Sequence, residues 1–354
     1  MQRGGSRVIP RTLICVRIKV GLITTCSESF RIFSMTTKSI SFRGLYPATV
    51  TPFAEDLSID IPSLRKHLRT VALTSGVKGI VVNGGVGEIL QLSHDEQVLI
   101  VKEAAATVSQ GQTVIAGISN SSAKRAAVEA HALKAAGANA LLVLPPFDVR
   151  AYNRLRGHIP SIVAYFRELG EAGVPMIVFL YSPASGCAYS LETLKALAEV
   201  PGVVGIKAAC GTLEVYQPIW DTLKNKVSIL AAVDGPALPD FLEYGAHGAL
   251  IGISTVATAL WVELLEASAN GNKAKTSSLM ERCAPIMESV WENHHFKRPT
   301  SEVASHKEAL VQLGELPSSR VRPPSVGVTP EVSEEIRVGL LAAGLLKEKI
   351  AISD

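Results

Sequence analysis

Lys207 ends the apolar run Val203-Val204-Gly205-Ile206-Lys207, and Tyr181 ends the run Met176–Tyr181. An amine at the end of a buried strand is costly to keep charged and tends to give up its proton. A neutral lysine attacks carbonyl groups, and a nearby hydroxyl can pass the protons that imine formation requires. The pair therefore points to Schiff-base chemistry. Taken singly, each residue also has a simpler reading: the lysine can snorkel to solvent and the tyrosine can hold its hydroxyl in water.

The elements that must position the two residues form a regular series. Strand-like runs occur at Leu45–Thr51, Gly79–Asn83, Thr113–Gly117, Ala140–Leu144, Met176–Tyr181, Val203–Lys207, Val227–Val233 and Ala249–Ile253. Amphipathic stretches such as Ile61–Thr74, Asp95–Val108, Ala123–Ala136, Leu191–Glu199 and Leu213–Lys224 lie between them. Apolar strands alternating with helices make a parallel sheet covered by helices. Eight such units suit a (β/α)₈ barrel of ~250 residues, with an open doubly wound sheet as the alternative. Ser93 and Glu96 form a capping box, and Gly76, Gly111 and Gly137 stand where left-handed helix caps are wanted. The barrel is expected over residues 41–270 and a helical region over 271–354, with helices at Ala274–Val290, Glu302–Gly314 and Pro330–Leu345 and a Pro-rich link, Pro317–Pro330.

In such a barrel chemistry belongs at the C-terminal strand ends. Those ends read Thr51, Asn83, Gly117, Pro145, Tyr181, Lys207, Asp234 and Ser254, which puts Tyr181 and Lys207 on neighbouring strands at one mouth.

Composition narrows the class of partner. The chain has 354 residues, 47% hydrophobic and 19% charged, with a formal charge of +3. Residues 1–40 carry Arg3, Arg7, Arg11, Arg17, Lys19, Arg31 and Lys38 against Glu28, a net +6 that leaves −3 for the rest. An acidic body gives no electrostatic case for nucleic acid. No apolar run reaches the ~18–20 residues that span a bilayer. Cys15, Cys26, Cys187, Cys210 and Cys283 form no C-x-x-C pair, which argues for a reducing compartment. The basic, Ser/Thr-containing leader has the character of a mitochondrial transit peptide, and the matrix is the expected location. A true start at Met35, in a cytoplasmic protein, is the alternative.

Several motifs occur together in order. They are Gly44-Leu45-Tyr46-Pro47-Ala48-Thr49-Val50-Thr51-Pro52-Phe53, then Gly84-Gly85-Val86-Gly87-Glu88 with Leu92-Ser93-His94-Asp95-Glu96, then Tyr181-Ser182-Pro183, Gly205-Ile206-Lys207 and Gly245-Ala246-His247-Gly248. Over roughly residues 42–345 the chain resembles the dihydrodipicolinate synthase / N-acetylneuraminate lyase superfamily of class I aldolases. The resemblance implies a homo-oligomer, usually a tetramer, in which Lys207 forms an imine with pyruvate or another 2-keto acid and Tyr181 transfers protons. It also implies that backbone N–H groups of Gly85 and Val86 hold the substrate carboxylate, with Leu250 as a further substrate-binding residue. No metal or organic cofactor is expected, because the protonated imine is itself the electron sink.

The departures are specific. The family's Gly-Thr-Thr-Gly-Glu loop reads Gly84-Gly85-Val86-Gly87-Glu88, so both hydroxyls are gone. The second tyrosine of the proton relay falls at Phe147, and the arginine that grips the aldehyde substrate falls at Ser185. A lost charge-assisted contact costs on the order of 1.5–3 kcal/mol. Synthesis of dihydrodipicolinate is therefore the less favoured activity, and aldol cleavage or formation with a 2-keto acid is expected. A dehydratase or hydratase of the same family, or a non-catalytic keto-acid binder, is the alternative.

Other signals carry less. Gly84–Gly87 lacks the G-x-G-x-x-G spacing of a dinucleotide loop. His294-His295 has no acidic partners for a metal, His94 and His247 read as structural, and Cys210 reads as a packed thiol. Glu88 is expected to accept hydrogen bonds from its own loop, and the role of Asp234 is open.

Overall fold

The computed structural model describes residues 42–146, 156–292 and 300–347. The basic segment 1–40, Phe147 and His294-His295 lie outside the described residues. Eight parallel strands run in the order β1-β8-β7-β6-β5-β4-β3-β2. They are β1 (Gly44–Leu45), β2 (Gly79–Val82), β3 (Thr113–Ile118), β4 (Ala140–Val143), β5 (Met176–Leu180), β6 (Val203–Ala208), β7 (Ser228–Ala231) and β8 (Gly248–Ala249). Bridges from Leu45 to Val77 and from Ala48 to Val81 bring β1 back to β2, so the sheet curls into the expected barrel.

The helices between the strands are α1 (Ile61–Ala72), α2 (His94–Ala105), α3 (Ala123–Ala136), α4 (Ile159–Gly170), α5 (Leu191–Ala198), α6 (Leu213–Leu223), α7 (Leu238–Tyr244) and α8 (Thr258–Ala269). Their apolar stripes face the sheet. In α1, Leu64, His67, Leu68, Val71 and Ala72 are buried at helical spacing, and Asp60 caps its first turn. Burying each leucine contributes about 1.5–3 kcal/mol. The Ser93–Glu96 capping box starts α2, and Gly137 ends α3 at φ 112°.

The first and last strands are shorter than expected. Pro47 has no N–H to give the ladder, so β1 stops at Leu45, although Ala48 and Thr49 still bond to Ile251 and Val81. The chain after Ala249 turns into a 3₁₀ segment, Ile253–Thr255, which moves Ser254 out of any strand. Burial within that turn is complete, and the Ser254 hydroxyl donates to the Ile251 carbonyl at 2.8 Å.

Beyond the barrel come α9 (Lys273–Ile286), a π-helical turn over Met287–Glu292, α10 (Glu302–Gln312) and α11 (Pro330–Ala342). No helix among the described residues is long and apolar enough to cross a membrane. The C-terminal helices pack on α8 and on each other, and α10 together with the 317–329 loop also reaches the barrel mouth.

One close approach fixes the geometry beside the mouth. A Cβ on Gly117 would lie 1.8 Å from the Asn83 carbonyl oxygen, where β2 turns into the Gly84–Gly87 loop. Gly117→Ala is therefore expected to cost at least about 3 kcal/mol, the upper end of overpacking. A urea midpoint close to that of the unmodified protein would show that the loop can move aside.

Candidate active site

Phe179 pairs with Lys207 across β5 and β6. The two-residue period of a strand places Tyr181 on the same face as Phe179. The two rings stack at 4.1 Å, and the Lys207 Nζ lies 4.0 Å from the Phe179 centroid. Lys207 is buried, and Tyr181 is half-buried beside it. The structure thus brings the two sequence-derived candidates to one side of the barrel mouth.

Burial lowers the proton affinity of Lys207, while Asp234 and Glu302 act in the opposite direction. The magnitudes explain the sign. Taking an ammonium out of water costs several kcal/mol, whereas a cation–π contact contributes about 0.5–2 kcal/mol. Desolvation wins. Tyr181 moves the other way: burial, with the charge of Glu302 behind it, raises its proton affinity, so it stays a phenol at neutral pH.

Glu302 was not among the sequence candidates. It sits half-buried in the first turn of α10 and lines a cavity of about 230 Å³. That cavity is also lined by Gly85, Val86, Leu144, Tyr181 and Ser301. Burial and the neighbouring Asp234 push the Glu302 carboxyl up to about 8, with Lys207 pulling the other way. Asp234 is itself anchored, accepting a 2.7 Å hydrogen bond from the Ile253 N–H.

The loop after β2 is held from outside. Asn83 and Glu88 adopt left-handed backbone conformations on either side of Gly84–Gly87. Among the described residues, the N–H groups of Gly85 and Val86 have no acceptor, which leaves them available to a carboxylate. Glu88 does not bond to its own loop as expected. Its carboxylate meets Lys307 of α10 at 2.5 Å, fully buried, and accepts the Arg322 N–H at 3.0 Å. The apolar loop offers no side-chain donor, so the partner had to come from the C-terminal region. Lys307 also donates to the Arg320 carbonyl and lies over Phe53. Arg322 grips Glu96 through both terminal nitrogens and donates to the carbonyls of Leu57 and Gln91.

Lys207 lies beside Tyr181 but does not itself line the cavity, and the remaining candidates also fall outside it. Leu250 is fully buried, with its N–H bonded to the Ala231 carbonyl. Ser185 is exposed on a 3₁₀ turn, Pro183–Ser185, where Arg156 donates to the adjacent Gly186 carbonyl. His247 accepts the Ile229 N–H and Cys210 is buried, both structural roles. No group of three or more metal-ligating side chains occurs among the described residues.

The family model described as the dihydrodipicolinate synthetase family matches residues 41–343. The chain belongs to that family. It is 31% identical to the 4-hydroxy-tetrahydrodipicolinate synthase of Rhodopseudomonas palustris over 86% of its own length and 98% of the relative. It is likewise 31% identical to the enzyme of that name from Rhizobium meliloti, over 86% and 99%. Among solved structures, dihydrodipicolinate synthase from Acinetobacter baumannii complexed with pyruvate aligns with a TM-score of 0.76 at 23% identity, covering 86% of this chain and 99% of that one. Ruminococcus gnavus sialic acid aldolase aligns with a TM-score of 0.75 at 18% identity, over 86% and 97%. Membership makes the protein a Schiff-base carbon–carbon lyase on a (β/α)₈ barrel.

Glu88→Gln leaves Lys307 buried without its counter-charge and should cost about 3–5 kcal/mol. The double variant Glu88→Gln/Lys307→Met should recover most of that loss in urea unfolding. A loss below about 1 kcal/mol in the single variant would mean that Lys307 finds water or another partner.

Proposed function

We propose that the protein makes or breaks a carbon–carbon bond next to an imine formed between Lys207 and a 2-keto acid, either pyruvate or a longer homologue. The observation that carries this reading is the buried amine of Lys207, its proton affinity lowered, beside a phenol that opens onto the mouth. Lys207 attacks C2 of the keto acid, and Tyr181 supplies and removes the protons as carbinolamine forms and loses water. The N–H groups of Gly85 and Val86 receive the carboxylate. The protonated imine then draws the electrons of the bond that breaks.

Aldol cleavage or formation fits the mouth better than dihydrodipicolinate synthesis. Gly85 and Ser185 offer neither the hydroxyl relay nor the arginine that the synthases bring, and the charged residues lining the cavity, Glu88 and Glu302, are both acidic. Neither offers a second substrate carboxylate a cation to bind. The synthase reading keeps support from the names of the relatives and from Arg156, which puts a cation near the rim.

Incubation with pyruvate and a panel of longer 2-keto acids, followed by borohydride, should add one reduced adduct to Lys207, read by intact mass and peptide mapping. Lys207→Ala should abolish the adduct and turnover with the fold retained; surviving turnover would sink the proposal. Tyr181→Phe should slow trapping by about 10²–10⁴-fold. Turnover with aspartate semialdehyde that is lost in Arg156→Ala would favour the synthase reading instead.

A further inference from the structure

We propose that Glu302 is a second catalytic acid–base group, serving the carbon skeleton while Tyr181 serves C2. Resting on the Lys207 imine reading, the step runs as follows for a 4-hydroxy-2-keto acid. The Glu302 carboxylate takes the proton of the C4 hydroxyl, and the C3–C4 bond breaks. Its electron pair forms the C2–C3 double bond of an enamine as the imine pair moves onto nitrogen, and C4 leaves as an aldehyde. The same proton then passes from Glu302 to C3 of the enamine. Water hydrolyses the resulting imine, freeing pyruvate and Lys207. Nothing is oxidised or reduced, and Glu302 ends as it began.

Geometry selects this residue. Glu302 shares the cavity with Tyr181 and with the loop that would hold the substrate carboxylate. Among the described residues no cation pairs with its carboxyl and no donor bonds to it. The charged and titratable groups around it are Tyr181 from β5, Lys207 from β6 and Asp234 after β7, with the Glu88–Lys307 pair and His306 behind.

Each neighbour is otherwise committed. Lys207 is consumed as the imine, and Asp234 holds the Ile253 N–H. Glu88 is locked to Lys307. Tyr181 is engaged with the protons at C2 and rests as a phenol at neutral pH, so it offers no free base to the C4 hydroxyl. Gly85 stands where the loop would need a hydroxyl to relay protons. The Glu302 carboxyl, pushed up to about 8, can give and take a proton near neutrality.

The test separates this role from the imine. Pyruvate is incubated with the protein in D₂O, methyl-proton exchange is followed by NMR, and borohydride trapping is run in parallel. The unmodified protein should trap and exchange. Glu302→Gln should trap at a rate within a few-fold of that value but exchange about 10²–10⁴-fold more slowly, and Glu302→Asp should recover part of the exchange. Unchanged exchange in a folded Glu302→Gln overturns the proposal. Loss of trapping and exchange together in the folded variant also overturns it, because Glu302 would then act at C2. If Glu302→Gln fails to fold, the exchange-to-trapping ratio of Glu302→Asp decides: a ratio equal to the unmodified protein's overturns the proposal, and a lowered one supports it. Absence of any adduct in the unmodified protein defeats the Lys207 reading instead.

Discussion

The buried ion pair between Glu88 and Lys307 ties the barrel mouth to the C-terminal helices. Two charges with side-chain exposures of 1% and 0% would be prohibitive alone, and even paired they need further hydrogen bonds to be tolerated. Glu88 receives one from the Arg322 N–H and Lys307 gives one to the Arg320 carbonyl. These demands bring the 317–329 loop over the mouth and fix α10 against the loop after β2. The position of Glu302, one turn and a half before Lys307 on the same helix, follows from that anchoring.

The mouth therefore holds two charge groups with opposite requirements. Glu88, Lys307, Glu96 and Arg322 are matched in sign and multiply bonded; the bidentate Arg322 grip holds Glu96 down at about 2, while burial lowers Lys307 to about 8 against the pull of Glu88. Lys207, Asp234 and Glu302 are one amine and two carboxyls close together, and burial with the neighbouring Asp234 presses Glu302 to keep its proton. His67 lies between the two groups in character. Burial, reinforced by the charge of Lys307, lowers it to about 4, so it stays neutral and accepts the Val50 N–H. The matched set adds rigidity, whereas the unmatched set adds titratable protons. Catalytic groups need the second condition, and the first keeps it from relaxing.

Much of this was legible in the sequence because barrel strands are local runs. Lys207 and Tyr181 stand out as the polar ends of apolar segments, and the alternation of eight such segments with helices fixes where those ends meet. Glu302 was not legible by the same route. It lies 95 residues beyond Lys207 in the chain, in a region whose periodicity announces only a helix. A signal was nevertheless present in its neighbour. Val303, Lys307 and Leu310 fall on one helical face with Ala304 and are buried together, so a lysine on an apolar stripe required an acid to meet it. Glu88, a lone acid in an apolar glycine loop, was the complementary half. Their sequence separation of 219 residues conceals the pairing, but the two unpaired charges were each an anomaly that burial would have to resolve.

The same reasoning explains why the loss of loop hydroxyls need not silence the site. A threonine relay works by hydrogen-bond exchange with a tyrosine and needs both hydroxyls in line. A carboxyl pressed toward neutrality by burial and a like charge stores the proton itself, and its position depends on a helix rather than on the loop. Val86 can then fill space and exclude water from the imine, which strengthens the field of Asp234 and Glu302 at Lys207. In this arrangement the C-terminal helices are part of the reaction centre, and the apolar mouth is the condition under which a single carboxyl can both take and return a proton.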